Sequence, residues 1–375
     1  MPTLFDPIQV GALQLANRVV MAPVTRNRAV NAIPPEMAVT YYTQRATAGL
    51  LITEGAAINP QSHGYSNVPG LYTSEQLDGW KRVTDAVHQC GGKIAVQLWH
   101  VGRISHVELQ PGHAPPVGPS AITAKARTAL IQNGVVVFTP ASKPRALELE
   151  ELPGIVHDFQ VAARNAVKSA GFDGVEIHAA NGYLLDQFLK TGSNQRTDDY
   201  GGSIENRVRL TLEVVRGVVD AVGPGRCGIR LSPVTPANDA YDADPQPLFE
   251  YLVRRLARQP LAYIHVIEGS TGGAREIPDR PFDYAALYAS YRAAGGQAAW
   301  MVNNGYDKQL AEQALAAGAD LVSFGRAFIS NPDLVRRLRE DAPLTPWDTS
   351  TFYGGGAKGY IDYPALPSEE HGKAL

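Results

Sequence analysis

The sequence predicts a closed barrel of eight parallel strands with helices between them, a (β/α)8 TIM barrel. Eight short apolar runs alternate along the chain with amphipathic helical segments. The runs lack the polar–apolar alternation of a half-exposed strand, which indicates strands that are buried on both faces. Polar residues recur where the runs end, as they do at the mouth of such barrels. An open doubly wound sheet is the structural alternative, and the number of strands disfavours it.

The predicted strands are short and mostly apolar: Arg18–Ala22, Gly49–Glu54, Lys93–Trp99, Gly174–His178, Cys227–Leu231, Ala262–Ile267, Ala298–Asn303 and Asp320–Phe324. The segments between them carry apolar residues at helical spacing. They predict helices at Glu36–Ala48, Glu75–Cys90, Leu149–Ala170, Ile204–Val222, Pro247–Ala257, Asp307–Ala317 and Pro332–Glu340.

Two segments lie outside these repeating units. Thr3–Leu15, with Gly11 at a turn, predicts a short hairpin before the first strand. Residues 102–145 form a segment rich in Pro and Gly after the third strand, and Val135–Phe138 within it predicts a further hairpin. A long excursion at this point of a barrel is typical of a cap over the mouth. Because no repeat or linker interrupts the chain, we expect residues 1–375 to form one domain.

Composition and charge exclude several classes of protein. A net charge of −3 provides no basic surface for nucleic acid or an anionic membrane. The N-terminus lacks the features of a signal peptide, and no apolar run is long enough to span a bilayer. Cys90 and Cys227 are far apart and form no metal or cluster motif, so we expect no metal site. These features favour a cytoplasmic globular enzyme.

The segment Gly223–Gly228 matches G-x-G-x-x-G, the fingerprint of dinucleotide-binding sheets. That fingerprint holds a pyrophosphate only where it follows a strand and opens a helix. Here the order is reversed, because a predicted helix precedes the segment and a predicted strand follows it. We therefore interpret it as a helix-to-strand turn.

The strongest candidate site is the end of the fourth predicted strand. Within Glu176–Tyr183 the chain presents His178, Asn181 and Tyr183 as the strand gives way to a loop. Two hydrogen-bond donors can hold an oxygen there while a phenol supplies a proton, which suits chemistry on a polarised carbonyl. A second polar strand end, Gln97–His100, strengthens this interpretation over that of a merely satisfied strand terminus.

Two loops predict a phosphate site. Asn304 and Gly305 follow the seventh predicted strand, and Gly325 and Arg326 follow the eighth. Barrels that bind phosphorylated ligands commonly use these two loops, where glycine allows backbone N–H groups to approach the anion. Arg326 would add a positive charge.

Several motifs resemble the Old Yellow Enzyme family of FMN-dependent ene-reductases over nearly the whole chain. They are Met21–Arg26, Val96–Arg103, Asn194–Arg207, Phe324–Arg326 and Phe352–Ala357. The pattern is most similar to the branch that includes pentaerythritol tetranitrate reductase, morphinone reductase and the plant oxophytodienoate reductases. The resemblance implies tightly bound, non-covalent FMN, with NAD(P)H as the reductant and NADPH favoured.

The resemblance also assigns the FMN contacts. It implies that Thr25 donates to the flavin, that Gln97 contacts its pyrimidine edge and that Arg230 stabilises negative charge on the reduced ring. Arg230 could instead, or in addition, form an ion pair with Glu176. The complete implied set is Pro23, Thr25, Gly55, Gln97, Arg230, Asn304, Gly305, Gly325 and Arg326. At Gly55 a side chain would block the flat ring.

For catalysis, the resemblance implies that His178 and Asn181 grip the activating oxygen of the substrate and that Tyr183 donates a proton. Aromatic residues at the pocket mouth would complete the substrate site: Tyr65, Trp99 and Tyr353. The implied substrates are α,β-unsaturated carbonyls, nitroalkenes and maleimides, with nitrate esters and nitroaromatics as further candidates. NAD(P)H and the alkene would use one pocket in turn, in a ping-pong reaction, and the enzyme would be a monomer or homodimer.

Two alternatives come from other chemistry. A cofactor-free aldolase or isomerase would need a Schiff-base lysine or a carboxylate base, but Lys93 lies at the wrong end of its strand. A non-catalytic flavin-binding protein would not need the three donors His178, Asn181 and Tyr183 together. The loops at residues 233–244 and 268–273 depart from the family pattern, so they leave the substrate and the choice between NADH and NADPH open.

Overall fold

The computed structural model describes residues 2–132 and 135–367. The strands in this part of the chain are β1 (Ile8–Val10), β2 (Leu13–Leu15), β3 (Val19–Met21), β4 (Leu50–Ala57), β5 (Ile94–Trp99), β6 (Val117–Gly118), β7 (Arg127–Gln132), β8 (Val135–Pro140), β9 (Arg145–Ala146), β10 (Gly174–Ala179), β11 (Cys227–Leu231), β12 (Tyr263–Ile267), β13 (Ala299–Asn303) and β14 (Leu321–Phe324).

The helices are α1 (Glu36–Thr43), α2 (Ser74–Gln89), α3 (Leu152–Arg164), α4 (Leu184–Leu189), α5 (Ile204–Arg207), α6 (Arg209–Val222), α7 (Pro245–Leu256), α8 (Tyr284–Ala293), α9 (Lys308–Ala316), α10 (Arg326–Ser330) and α11 (Leu334–Glu340). None of the described helices is long and apolar enough to cross a lipid bilayer.

Eight of the strands close into a parallel barrel, in the order β3, β4, β5, β10, β11, β12, β13 and β14. The ring is completed by β14 beside β3, where Phe324 pairs with Met21. Between β5 and β10 the register sets Gln97 opposite Glu176. The predicted fold class is therefore confirmed, and each predicted strand overlaps a barrel strand. The single-domain organisation over residues 1–375 stays a prediction.

The helices differ from the predictions in identifiable ways. The predicted helix Ile204–Val222 is two helices, because Val208 separates α5 from α6. The predicted helix Leu149–Ala170 begins as a 3-10 turn and ends in a π-helical turn at Asn165–Ser169. The pattern missed α8, whose amphipathic signal is weak because only Leu287 and Tyr291 are buried.

The N-terminal hairpin closes one end of the barrel. Strands β1 and β2 pair antiparallel around Gly11, which has a φ of 57° and approaches Gly225 closely. The Ala12 amide donates to the Gly225 carbonyl at 2.9 Å. Side chains of the hairpin pack on the starts of the barrel strands in one apolar cluster with Leu50 and Met301. The segment Gly223–Gly228 thus joins α6 to β11 as a turn, as predicted.

The opposite end carries the long segment after β5. Its strands β7 and β8 form the predicted antiparallel hairpin, here called the cap hairpin. The cap hairpin is attached to the loop after β4, because the Ser66 amide donates to the Ala129 carbonyl at 2.9 Å and the Ile131 amide to Ser66 Oγ at 3.2 Å. A cap therefore stands where the carboxyl ends of the barrel strands present their loops.

Candidate active site

A cavity of about 500 Å³ opens at the carboxyl ends of the barrel strands. It brings together most of the residues that the sequence predicted for the site, although they come from six barrel strands or their following loops and from the C-terminal segment. Those lining it are Pro23, Thr25, Gln97, Trp99, His178, Asn181, Tyr183, Arg230, Asn304, Gly305, Gly325, Arg326 and Tyr353. Tyr65 lies in an adjoining smaller cavity, and Gly55 is in neither wall.

His178 lies in β10, one residue before the strand ends at Ala179, and is buried. Its ring is stacked with the Trp99 ring at a centroid distance of 6.1 Å and lies edge-on to the Tyr183 ring at a centroid distance of 5.0 Å. Burial, followed by the nearby Arg230 charge, lowers the pKa of His178 well below its usual value. Its Nδ1 atom is buried without a hydrogen-bond partner in the described residues. The imidazole is therefore neutral and has polar capacity left for a ligand.

Asn181 is held by residues of two neighbouring loops, those after β11 and β12. Its backbone has a φ of 58°, and its amide donates to Ser232 Oγ at 2.7 Å. Asn238 Nδ2 donates to the Asn181 carbonyl at 2.9 Å, and the Thr271 hydroxyl donates to Asn181 Oδ1 at 2.6 Å. Because Oδ1 is occupied, the amide nitrogen is the group left to serve a ligand.

These contacts give a structural role to the loops at residues 233–244 and 268–273. Thr271 in turn receives support from Thr235, whose Oγ1 accepts the Thr271 amide at 3.2 Å. Both threonines and Asn238 lie in loops that departed from the family pattern. These loops thus fix the orientation of the Asn181 side chain.

Tyr183 and Tyr65 share a hydrogen bond of 3.1 Å between their hydroxyls. Trp99 packs against both rings, stacked on Tyr65 at 5.6 Å and edge-on to Tyr183 at 4.9 Å. Burial raises the pKa of Tyr183, and the hydrogen bond from Tyr65 opposes that rise. The phenol therefore keeps its proton at neutral pH, as a general acid must.

A buried polar network underlies the cavity. Gln97 Nε2 donates to Glu176 Oε1 at 2.8 Å, and Glu176 Oε2 is 2.8 Å from His265 Nδ1. His265 Nε2 is 2.7 Å from Ser323 Oγ. Sequence reasoning missed His265 and Ser323, although a polar residue inside an apolar strand was an available signal. The network fixes the Gln97 amide, so that its carbonyl oxygen faces away from Glu176.

Arg230 is not part of an ion pair with Glu176. Its Nη2 donates to Asn303 Oδ1 at 2.8 Å, while Nε is buried and has no partner in the described residues. Glu176 is already engaged by Gln97 and His265. The alternative of a structural Arg230–Glu176 pair is therefore wrong, and Arg230 has donor capacity left in the cavity wall.

The predicted phosphate loops lie side by side in the cavity wall. Arg326 begins α10 and stands over Trp347 at 5.0 Å, with no hydrogen bond or ion pair to any described residue. Gly305 has a φ of 66°. The Asn304 side chain is committed elsewhere, because its Nδ2 donates to the carbonyls of Glu268 at 2.7 Å and Ser270 at 2.9 Å. Any contact of Asn304 with a ligand would therefore come from its backbone.

Gly55 has a different environment from the one expected. It lies inside β4, not after it, and a Cβ atom there would be 2.5 Å from the Trp99 ring. The close neighbour that requires glycine is thus Trp99. The contact of Gly55 with a flavin ring stays a prediction.

Comparison with known proteins identifies the family. Residues 3–345 match the NADH:flavin oxidoreductase / NADH oxidase family. The 12-oxophytodienoate reductase 1 of Oryza sativa subsp. japonica is 44% identical over 371 residues, which span 97% of this chain and 93% of the relative. The 12-oxophytodienoate reductase 2 of Arabidopsis thaliana is 40% identical over 97% of this chain and 96% of the relative.

Solved structures agree. Morphinone reductase in complex with tetrahydroNAD superposes with a TM-score of 0.92 at 46% identity, covering 99% of both chains. The Old Yellow Enzyme homologue from Zymomonas mobilis gives a TM-score of 0.91 at 39% identity, covering 97% of this chain and 100% of that one. The chain therefore belongs to the NADH:flavin oxidoreductase / NADH oxidase family and is an NAD(P)H-dependent flavin oxidoreductase of the Old Yellow Enzyme type.

Proposed function

We propose that the protein is an FMN-dependent ene-reductase that takes hydride from NAD(P)H, with NADPH favoured, and reduces the activated C=C bond of unsaturated carbonyls, nitroalkenes or maleimides. Nitrate esters and nitroaromatics are secondary substrates in this proposal. The observation that carries it is the meeting of His178, Asn181 and Tyr183 in one cavity that also contains Arg326. We propose a monomeric or homodimeric enzyme of the cytoplasm.

The residues of the cavity fit FMN. Arg326, which has no other ionic partner among the described residues, would bind the phosphate together with the backbones of Gly305 and Gly325. The unpartnered Arg230 Nε and the fixed Gln97 amide would bind the pyrimidine edge of the flavin, and the Thr25 hydroxyl would donate to the flavin O4. When bound, FMN supplies the redox ring that accepts and returns hydride.

His178 and Asn181 would bind the activating oxygen of the substrate. The neutral imidazole has a free nitrogen, and the Asn181 amide nitrogen is left available because Thr271 occupies Oδ1. Two donors at one oxygen withdraw electrons from the conjugated double bond and stabilise the negative charge that develops on that oxygen. Asn181 is oriented by its hydrogen bonds to Thr271 and Asn238, and His178 is packed between aromatic rings. Both donors are thus preoriented, so little reorganisation is needed during the reaction.

Tyr183 would then protonate the α-carbon. The O–H bond of the phenol breaks as the new C–H bond forms, which leaves a phenolate. Tyr65 can donate its own hydrogen bond to that phenolate across the 3.1 Å contact. Water restores the proton afterwards. NAD(P)H and the alkene would occupy the same cavity in turn. The reaction would therefore be ping-pong, and the chain would need no separate dinucleotide-binding fingerprint.

Anaerobic titration tests the proposal. The purified protein should be yellow, NAD(P)H should bleach it, and cyclohexenone should restore the colour with formation of cyclohexanone. A His178→Ala, Asn181→Ala double variant should remain yellow but should bind phenols weakly and recover colour slowly with the enone. A colourless protein that cannot be reconstituted with FMN, or a bleached protein that no activated alkene reoxidises, would contradict the proposal.

A further inference from the structure

A second cavity, of about 190 Å³, adjoins the main one beneath the cap hairpin. The two cavities share Thr25, Trp99, Tyr183 and Tyr353. We name the smaller one the side chamber. Because Tyr183 lines both spaces, a molecule positioned for proton transfer in the main cavity has direct access to the side chamber.

The walls of the side chamber are apolar where the cap hairpin contributes them. Ala129, Leu130, Ile131, Val136 and Phe138 line it, and the register pairs Ala129 with Phe138 and Ile131 with Val136. Residues paired across two antiparallel strands project to the same face. One face of the cap hairpin therefore forms an apolar wall directed at the barrel mouth.

Several polar side chains of the side chamber are already engaged within its own walls. Asn27 Nδ2 donates to the Ser66 carbonyl at 2.7 Å, and Ser66 Oγ accepts the Ile131 amide at 3.2 Å. The Tyr65 hydroxyl is engaged with Tyr183. None of the lining residues is charged. Trp99 Nε1 is the one buried lining donor that has no partner in the described residues. A carboxylate would thus lose its hydration here without finding a cationic partner.

We infer that the side chamber binds an uncharged apolar substituent carried on the α-carbon of the alkene, an inference that rests on the proposed function. The α-carbon is the atom that Tyr183 would protonate, so it lies nearest to the junction of the two cavities. A cavity of about 150 Å³ accommodates a benzene ring, so the side chamber suits a group of roughly five or six carbon atoms. A carboxylate at the end of such a group should be rejected.

Matched cyclopentenones provide the test. In the holoenzyme, 2-pentylcyclopent-2-enone should show a kcat/KM at least about tenfold above that of the 2-methyl compound, because each buried methylene favours binding roughly fourfold. A 2-(4-carboxybutyl) compound of similar length should fall at least about tenfold below the pentyl compound. Equal rates for the pentyl and carboxybutyl compounds, or for 2-pentyl and 3-pentyl isomers, would overturn the inference.

Two neighbouring valines of β8 allow a matched control. Val136→Phe would fill the side chamber and should reduce the pentyl-to-methyl ratio to about one. Val135→Phe adds the same bulk at an exposed position that is paired with Gln132 and does not line the side chamber, so it should leave the ratio unchanged. Phe138→Ala should enlarge the side chamber and extend the preference to longer chains. Equal effects of the two phenylalanine variants would contradict the assignment.

Binding separates this inference from the proposed function. Dissociation constants of the same compounds for the oxidised holoenzyme follow from the change in flavin absorbance. A chain-length dependence of binding that Val136→Phe removes, without any turnover, would support the side chamber while the proposed function fails. Turnover of the 2-methyl compound with no chain-length dependence would overturn the inference about the side chamber and leave the proposed function standing.

Discussion

The two hairpins at opposite ends of the barrel differ in what they bury. The N-terminal hairpin packs Val10, Leu13 and Leu15 into an apolar cluster with the starts of the barrel strands. The cap hairpin instead leaves Phe138 50% and Ile131 41% exposed at the mouth. One hairpin therefore contributes to stability through burial, whereas the other provides a surface that a ligand can cover. Substitutions at the two ends should have separable consequences.

The largest effect on stability is expected at the N-terminal hairpin. Leu15→Ala removes a fully buried side chain and should cost about 2–5 kcal/mol in the free energy of unfolding. FMN affinity should be unchanged, because Leu15 is remote from the cavity. Phe138→Ala in the cap hairpin, at a half-exposed position, should cost about 0.5 kcal/mol or less. Chemical denaturation of the holoproteins would measure both, and similar losses would refute the proposed division between the two ends.

The next effect concerns FMN. Arg326→Ala should weaken FMN binding roughly 10- to 100-fold, because a hydrogen-bonded charge on the phosphate is lost. Arg326 lies at the surface of the cavity and makes no ion pair with the described residues, so the melting temperature of the apoprotein should change little. Fluorescence titration of apoprotein with FMN would give the dissociation constant. Full flavin content with an unchanged constant would remove Arg326 from the phosphate site.

Histidines at the mouth of the barrel should also determine how the free energy of unfolding falls at low pH. Burial lowers the pKa of His63 to about 4 and of His100 to about 3, whereas the apolar cluster at the other end contains no histidine. Both residues are neutral in the folded protein, so they cost stability once the unfolded chain protonates. That loss begins as the pH falls below about 6.5 and continues towards the folded pKa values.

His100→Asn tests this without removing the acceptor of the Gly102 amide, which His100 Nδ1 provides at 3.1 Å. Between about pH 6 and pH 4, the variant should lose stability less steeply, by up to about 1.4 kcal/mol per pH unit. Glu54, whose pKa burial raises to about 7, has the opposite sign, since its contribution is lost as the pH rises through 7. It cancels in the difference between the two proteins. If the stability–pH curves of the variant and the original protein were parallel, the pKa of His100 would not be lowered by folding.

Much of the fold and of the site follows from local sequence. The eight strands could be predicted because buried parallel strands form uninterrupted apolar runs, and His178, Asn181 and Tyr183 because they cluster at one strand end. The contacts that orient them could not be predicted. Thr271 reaches Asn181 across 90 residues of sequence, and Tyr65 reaches Tyr183 across 118. Such contacts depend on loop paths, for which the sequence carries no periodic signal.

A smaller effect is expected at Thr25. Thr25→Ala should leave the melting temperature nearly unchanged and lower the midpoint potential by about 30 mV, the equivalent of one hydrogen bond of about 1.4 kcal/mol to a two-electron couple. The oxidation of the reduced enzyme by enones should slow. Dye-coupled redox titration would measure the shift. Lost thermal stability at an unchanged potential would make Thr25 a structural residue.

The most direct test of the central claim compares the two half-reactions of Tyr183→Phe by stopped-flow spectroscopy. Bleaching by NAD(P)H requires no proton from the phenol and should keep its rate. Reoxidation by cyclohexenone requires protonation of the α-carbon and should slow by about 10²-fold or more, whereas nitroalkenes, whose nitronate products can be protonated by water, should be much less affected. Equal slowing of both half-reactions, or unimpaired reoxidation by cyclohexenone, would show that Tyr183 only packs the cavity and does not deliver the proton.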